Sequence, residues 1–174
     1  VGGGGGKLAE VEEALAGGDL DLAERALRAL LSANESDYDV HPLLAAVLLQ
    51  QGRLVEVEEM LSELPANIST DSSFEPIHAQ LRLASKIDGQ TDRPSLEELA
   101  RDNENIDARF QLSVLRAVGR EFEPALDALL DLLVTNREWQ NGAIHKTILD
   151  IFNVLDADDP RLKQYRTRLA RTLN

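Results

Sequence analysis

The 174 residues are 43% hydrophobic and 28% charged but only 4% aromatic, with Leu and Ala dominant, which supplies a core, excludes wholesale disorder and argues against an all-β fold. Eighteen basic residues against 31 acidic ones leave a net charge of −13, a surface that repels phosphate backbones, so nucleic acid is not an expected partner. Without cysteine there is no disulfide, thiolate nucleophile or thiolate metal site, which suits a reducing, cytoplasmic setting; no apolar run nears the ~20 residues of a membrane span, and no signal peptide is visible.

Val1 and Gly2 to Gly6 offer almost nothing to pack, so residues 1–6 are expected to be a linker, tag or placeholder, with a helical domain over 7–174. Leu8, Val11 and Leu15 form one helical stripe, stopped at Gly17-Gly18. Asp19 caps the next, carried by Leu20, Ala23, Leu27, Leu30 and Leu31. His41-Pro42 opens a third, with Leu43, Leu44, Val47 and Leu48 before Gly52, and Leu54, Val57, Met60, Leu61 and Leu64 follow as far as Pro65. Weaker helices at 73–87 and 95–100 flank a polar stretch, residues 88–94. Ile106–Val118 and Phe122–Val134 make a strong pair broken at Gly119-Arg120-Glu121; Gly142–Leu155 and Asp159–Leu173 come last. The pattern predicts about ten helices, paired near 7–34, 41–65, 73–103, 106–136 and 142–173.

Two of the turns are the same device: Gly18-Asp19-Leu20 leading to Ala23, and Gly52-Arg53-Leu54 leading to Val57. They lie 34 residues apart, the period of the tetratricopeptide repeat. A third, Gly119-Arg120-Glu121-Phe122 leading to Ala125, falls 67 residues after Gly52 at its glycine but 68 after Val57 at its alanine. It therefore reads as carrying one extra residue, with a degenerate repeat between, whose turn belongs near Lys86. Each glycine is expected to end a helix in the left-handed conformation. Ala23, Val57 and Ala125 are expected to let paired helices approach closely. The fold class expected is all-α, a tetratricopeptide-like α-solenoid in antiparallel pairs.

Catalytic signatures do not emerge. His41, His78 and His145 are too far apart for a helical metal pair, and Asp156, Asp158 and Asp159 lack the glycine and glutamate of a calcium loop. Asp159-Pro160 reads instead as an N-cap and first helical residue. Adjacent glutamates such as Glu58-Glu59 point to different sides of a helix, and neither a nucleophile elbow nor a phosphate loop occurs. No catalytic, cofactor-binding or metal-binding residue is assigned, and the chain reads as non-enzymatic.

Charge distribution is more informative. Residues 160–174 hold five bases and no acid, which leaves −18 on residues 1–159. Leu162, Tyr165, Leu169 and Leu173 form one stripe of this closing helix, flanked by Arg161, Lys163, Arg166, Arg168 and Arg171. The stripe suits docking on Ile148, Ile151, Phe152 and Leu155, and some of the arginines complement the helix dipole. Five bases exceed what a dipole needs, so Arg161, Lys163, Tyr165, Arg166, Arg168, Leu169, Arg171 and Leu173 form the candidate partner-binding set. A membrane surface is not an expected partner. The alternative is a generic scaffold that uses the repeat groove, where facing positions would be Leu8, Glu12, Pro42, Ala46, Phe110 and Val114. None of these is Lys, Arg or Asn, so a basic carboxylate clamp is absent.

The C-terminal half also resembles a family. Phe110-Gln-Leu-Ser-Val-Leu-Arg-Ala-Val-Gly119, Ala125-Leu-Asp-Ala-Leu-Leu130, Arg137-Glu-Trp-Gln-Asn-Gly-Ala-Ile-His-Lys146 and Asp159-Pro-Arg-Leu-Lys-Gln-Tyr-Arg-Thr-Arg-Leu169 are similar to segments of the YbbN-type thioredoxin-like proteins, or chaperedoxins. The resemblance is most specific over 106–174. It implies a holdase or co-chaperone that binds unfolded clients and passes them to chaperonin, with the closing helix, Arg161 to Leu173, as the chaperonin contact. It further implies a thioredoxin-fold domain N-terminal to these repeats in the full-length chain.

Overall fold

In the computed structural model, which describes residues 3–174, every regular element among the described residues is helical. The helices are α1 (Gly3–Gly17), α2 (Leu20–Ala33), α3 (Val40–Gln50), α4 (Leu54–Glu63), α5 (Ala66–Ser69), α6 (Glu75–Ser85), α7 (Arg93–Leu99), α8 (Ile106–Val118), α9 (Phe122–Thr135), α10 (Ala143–Val154) and α11 (Pro160–Leu173), with a 3-10 turn at Ser72–Phe74. The four-residue α5 is an addition to the predicted set. Helix α1 opens at Gly3, so part of the glycine run forms its first turn; Val1 and Gly2 lie outside the described residues. The fold class is all-α, a tetratricopeptide-like solenoid, and the chain divides into two compact units that meet between Ile77 and His78.

In the first unit α1 packs on α2, α2 on α3 and α3 on α4. Val11, Ala14, Ala26, Leu27, Leu44, Val47, Leu48 and Leu61 are buried, and Ala23 and Val57, the small residues in repeat register, have no exposed surface. Each partly amphipathic helix thereby removes its apolar stripe from water, at about 25 cal/mol per Å² of apolar surface buried. Polar ties reinforce α2 against the start of α4. Arg53 donates to both carboxylate oxygens of Glu24 (2.9 and 2.8 Å), and Arg28 bridges Glu24 (2.8 Å) to Glu56 (2.5 Å). Gln51 adds a donor to Glu24 at 3.1 Å. Burial alone pushes the Glu24 carboxyl up, but the hydrogen bonds from Arg28, Gln51 and Arg53 outweigh it and hold the group down at about 2.

In the second unit α9 is the hub: α8, α10 and α11 all pack on it, and seven of its residues are buried, from Phe122 to Leu133. The core joins these to Ile144, Ile148, Ile151 and Phe152 of α10 and to Leu162 and Leu169 of α11. The degenerate repeat keeps the end of its first helix in register, since α6 stops at Ser85. Its second helix is delayed to Arg93 by the loop through Gly89 (φ +68°), is only seven residues long, and packs on α8. Helix α11 packs chiefly on α9, although its stripe reaches the expected α10 residues through the shared core.

The three repeat turns share one backbone geometry, and it corrects the placing of the third. Gly18 and Gly52 have φ +76°. Asp19 N–H bonds to Ala14 O and Gly18 N–H to Leu15 O; Arg53 and Gly52 repeat this onto Leu48 O and Leu49 O. These are paired bonds of the Schellman type, which return orphan carbonyls of the ending helix to a donor. At the third turn Gly119 has φ −77°, and Arg120 takes the left-handed slot at φ +64°. Glu121 N–H bonds to Arg116 O and Arg120 N–H to Ala117 O. The left-handed residues are therefore 18, 52 and 120, spaced by 34 and 68. No residue is inserted; the glycine stands one position early, at the C-cap of α8, and an arginine bears the strained conformation.

Candidate partner-binding surfaces

Helix α11 is started by Asp159, whose Oδ1 accepts from Arg161 N–H at 2.9 Å, with Pro160 as its first residue. That agrees with the reading of the Asp159-Pro160 pair. At its other end Arg137 donates to the carbonyls of Leu173 (3.1 Å) and Thr172 (2.5 Å), which satisfies acceptors that the helix leaves open.

Between these ends the eight candidate residues divide into two groups. Leu169 is buried and Leu173 is half-buried on the core. Tyr165 donates its hydroxyl to Asp127 of α9 at 3.0 Å, and burial, then that hydrogen bond, push its phenol up to about 12. Arg168 donates to the same Asp127 oxygen at 2.6 Å and to Asp131 at 3.3 Å. Arg161 pairs with Asp159 at 2.8 Å, approaches Glu123 at 3.9 Å and lies 6.0 Å from the Phe122 ring centre. These five side chains face the protein. Lys163, Arg166 and Arg171 are exposed and carry no ion pair with any described acid.

The division follows from helix geometry. Residues 161, 165, 168 and 172 share one side and 162, 169 and 173 the adjoining one, whereas 163, 166 and 171 lie across the remaining arc. The acidic side of α9, Glu123-Asp127-Asp131 at four-residue spacing, is what draws Arg161 and Arg168 inward. Sequence reading grouped all five bases because it had no means of setting that acidic stripe against them.

The predicted groove positions also separate. Phe110 and Val114 are buried in the second unit, where the Phe110 ring meets Trp139 at 5.0 Å between centres, so that face is closed by its neighbours. In the first unit Leu8 and Glu12 are exposed, and Pro42 and Ala46 are half-buried.

One constellation was missed. Asp150 of α10 is 8% exposed and takes Arg82 Nε at 2.8 Å and Lys86 Nζ at 2.7 Å, which ties the end of α6 to α10. A carboxylate set between Ile148 and Ile151 in an apolar helix was the available signal. Among the described residues no cluster of His, Asp and Glu could hold a metal ion, and no helix is long and apolar enough to cross a membrane.

Comparison with known proteins agrees with the repeat spacing. No functionally curated protein matches the chain. Among solved structures it is similar to the crystal structure of a domain of protein VP0806, of unknown function, from Vibrio parahaemolyticus RIMD 2210633. That match has 29% identity over 95% of this chain and 96% of that one, with a TM-score of 0.43. Two tetratricopeptide repeat families match, one over residues 14–81 and the other over residues 86–174. Such repeats are protein–protein interaction scaffolds and typically non-catalytic. With a 34-residue period carried in its turns and a family match across half its length, the chain belongs to the tetratricopeptide repeat family.

Proposed function

We propose that the chain is the protein-binding region of a cytoplasmic thioredoxin-like holdase or co-chaperone, and that chaperonin docks on the outer face of α11. The observation that carries this reading is the set Lys163, Arg166 and Arg171, three exposed cations with no acid on their own helix. Arg161, Tyr165, Arg168, Leu169 and Leu173 position the helix in this reading, and the cations of the outer face make the contact. Electrostatic complementarity of this kind steers association and sets register more than it sets affinity, so the partner surface should be acidic. The YbbN-type resemblance of residues 106–174 supports chaperonin as that partner. It also supports unfolded clients as cargo and a thioredoxin fold in the same full-length chain.

Co-sedimentation with purified bacterial chaperonin tests it. The chain should co-sediment, and Lys163→Glu, Arg166→Glu, Arg171→Glu together should abolish this while the chain still melts cooperatively, a few degrees lower for the reversed charge in the last turn of α11. Arg168 is left in place because its reversal would set a carboxylate against Asp127 and Asp131. Retained binding by the triple variant would remove α11 as the contact, and no binding by the unmodified chain would remove chaperonin as the partner.

A second reading has its own observation. Leu8 and Leu15, on one face of α1, are each about two-fifths exposed, apolar side chains that a generic repeat scaffold would offer to a partner segment. A Leu8→Ser, Leu15→Ser pair that loses a partner captured equally well by the α11 variant would favour it.

A further inference from the structure

A pocket of about 300 Å³ in the second unit is lined by Ala100 and Arg101 after α7, by Arg109, Leu112 and Arg116 of α8, and by Ala128 of α9. Three arginines converge here in a chain of net charge −13. Their partners set them apart. Four arginines of the described residues are half-buried, and Arg53 and Arg161 each hold carboxylates. Neither Arg109 nor Arg116 has a carboxylate within ion-pair distance among the described residues: Arg109 donates to the carbonyl of Asn103 at 3.0 Å, and the Arg116 side chain, without a hydrogen bond, acts on Glu121 only through its charge. Both line this pocket. The third, Arg101, pairs with Glu98 at an outer, largely exposed position.

Helix periodicity explains the arrangement. Positions 109, 112, 113 and 116 recur at the spacing of one helix face, so the Cα atoms of the two arginines stand roughly 10 Å apart along the axis. Buried Leu112 lies between them as an apolar floor, and Ser113 beneath spends its hydroxyl proton on Arg109 O at 2.8 Å. The one acid of the lining, Glu97, is engaged with Arg93 at 3.0 Å. A half-buried guanidinium with no carboxylate hydrogen-bonded to it bears a desolvation cost that a carboxylate relieves by bidentate hydrogen bonds.

We infer that this pocket receives an acidic segment of a partner protein, with two carboxylates on Arg109 and Arg116 and a small apolar side chain on Leu112. The inference rests on the scaffold reading only in taking the occupant to be protein. It concerns α8, a different surface from the outer face of α11.

The full chain would be titrated with a labelled peptide, Glu-Leu-Glu-Glu-Leu-Glu, followed by anisotropy and by the side-chain Nε–H resonances of arginine. Those of Arg109 and Arg116 should shift, and affinity should fall about tenfold or more in Arg109→Gln, Arg116→Gln. Arg116→Gln alone breaks no side-chain hydrogen bond and removes only a through-space charge interaction with Glu121, so it should keep the melting temperature of the unmodified chain while losing affinity. The variant Arg166→Gln, Arg171→Gln should bind as the unmodified chain does. Equal binding of the glutamine peptide, or affinity indifferent to Arg109 and Arg116, would overturn the inference. So would shifts of those resonances with inorganic phosphate but not with the peptide, which would assign the pocket to phosphate. Chaperonin co-sedimentation reports on α11 independently, so either proposal can fail alone.

Discussion

The third repeat turn gives a prediction whose sign differs between two glycines. At Gly52, φ is +76° and nothing lies within 4 Å of where a Cβ would stand, so Gly52→Ala meets backbone strain and no clash. The cost of an L-residue there is about 1–2 kcal/mol. At Gly119, φ is −77° and the nearest atoms to an added Cβ are Leu115 O at 3.4 Å and Arg116 O at 3.5 Å, so a methyl group fits with little adjustment. Gly119→Ala therefore restricts the unfolded chain without straining the folded one, a gain of about 0.4–1 kcal/mol. In units of this size 1 kcal/mol moves the melting temperature by roughly 4–8 °C. Gly52→Ala should melt several degrees lower and Gly119→Ala a few degrees higher, by circular dichroism and, for the second unit, by fluorescence of Trp139. Arg120→Gly should change little: relief of its φ +64° is offset by a freer unfolded chain and by loss of its contact over Phe122, 5.4 Å from the ring centre. A Gly119→Ala variant as damaged as Gly52→Ala would refute the assignment of the left-handed slot to Arg120.

The Glu24 carboxyl, held at about 2 against an ordinary 4.5, stabilises the first unit above pH 4.5, and this contribution is lost as pH falls from there toward 2. Melting of the unmodified chain and of Glu24→Gln should differ most near neutrality and converge across that window; a gap independent of pH would mean that packing, not charge, accounts for the residue. Asp150→Asn, which leaves Arg82 and Lys86 facing a neutral amide, should cost about 1–2 kcal/mol, the value for charge-assisted hydrogen bonds discounted for the half-exposed Arg82. Chemical denaturation of the second unit measures it, and an unchanged midpoint would show that the two cations find water equally well.

The repeat period was legible because it resides in residues with backbone meaning. Glycines at 18 and 52 and small residues at 23, 57 and 125 fix turns and close approaches wherever they occur, and Ala23, Val57 and Ala125 are all fully buried. The left-handed arginine was not legible: the eye follows glycine, and only hydrogen-bond pairing tells a helix-terminal glycine from the cap beyond it. Helix α7, expected at 95–100 and observed at Arg93–Leu99, was legible in place but not in its packing. Its apolar pattern is short, and its partner is chosen by what lies across from Leu96, namely Ala108 and Leu112 of α8. The basic character of α11 was evident in composition. The division of its cations into inward and outward groups depends on acids some forty residues earlier, at Asp127 and Asp131, which no local pattern couples to them.

That long-range pairing has a counterpart in each unit, and its polarity carries meaning for a protein built of similar repeats. In the first unit the second helix of one pair offers Glu24 to Arg53, the N-cap of the second helix of the next, 29 residues on. In the second unit Arg93 of α7 offers its guanidinium to Glu121, the N-cap of α9, 28 residues on. The N-caps correspond, 68 residues apart, though Glu24 stands in the second turn of α2 and Arg93 first in α7; the charges are exchanged. Glu121 suits the positive end of a helix dipole; Arg53 does not, and is tolerated because Glu24 and Glu56 surround it. Repeats whose apolar faces are alike can stack in the wrong order at little hydrophobic cost. Exchanged charges oppose that, since α2 set against the N-cap of α9 would bring Glu24 to Glu121, and α7 set against that of α4 would bring Arg93 to Arg53. The Arg93–Glu121 pair is exposed enough to contribute little stability, unlike the less exposed Glu24 cluster. The larger effect of such pairs is on which neighbour each helix accepts, by making the wrong one repulsive.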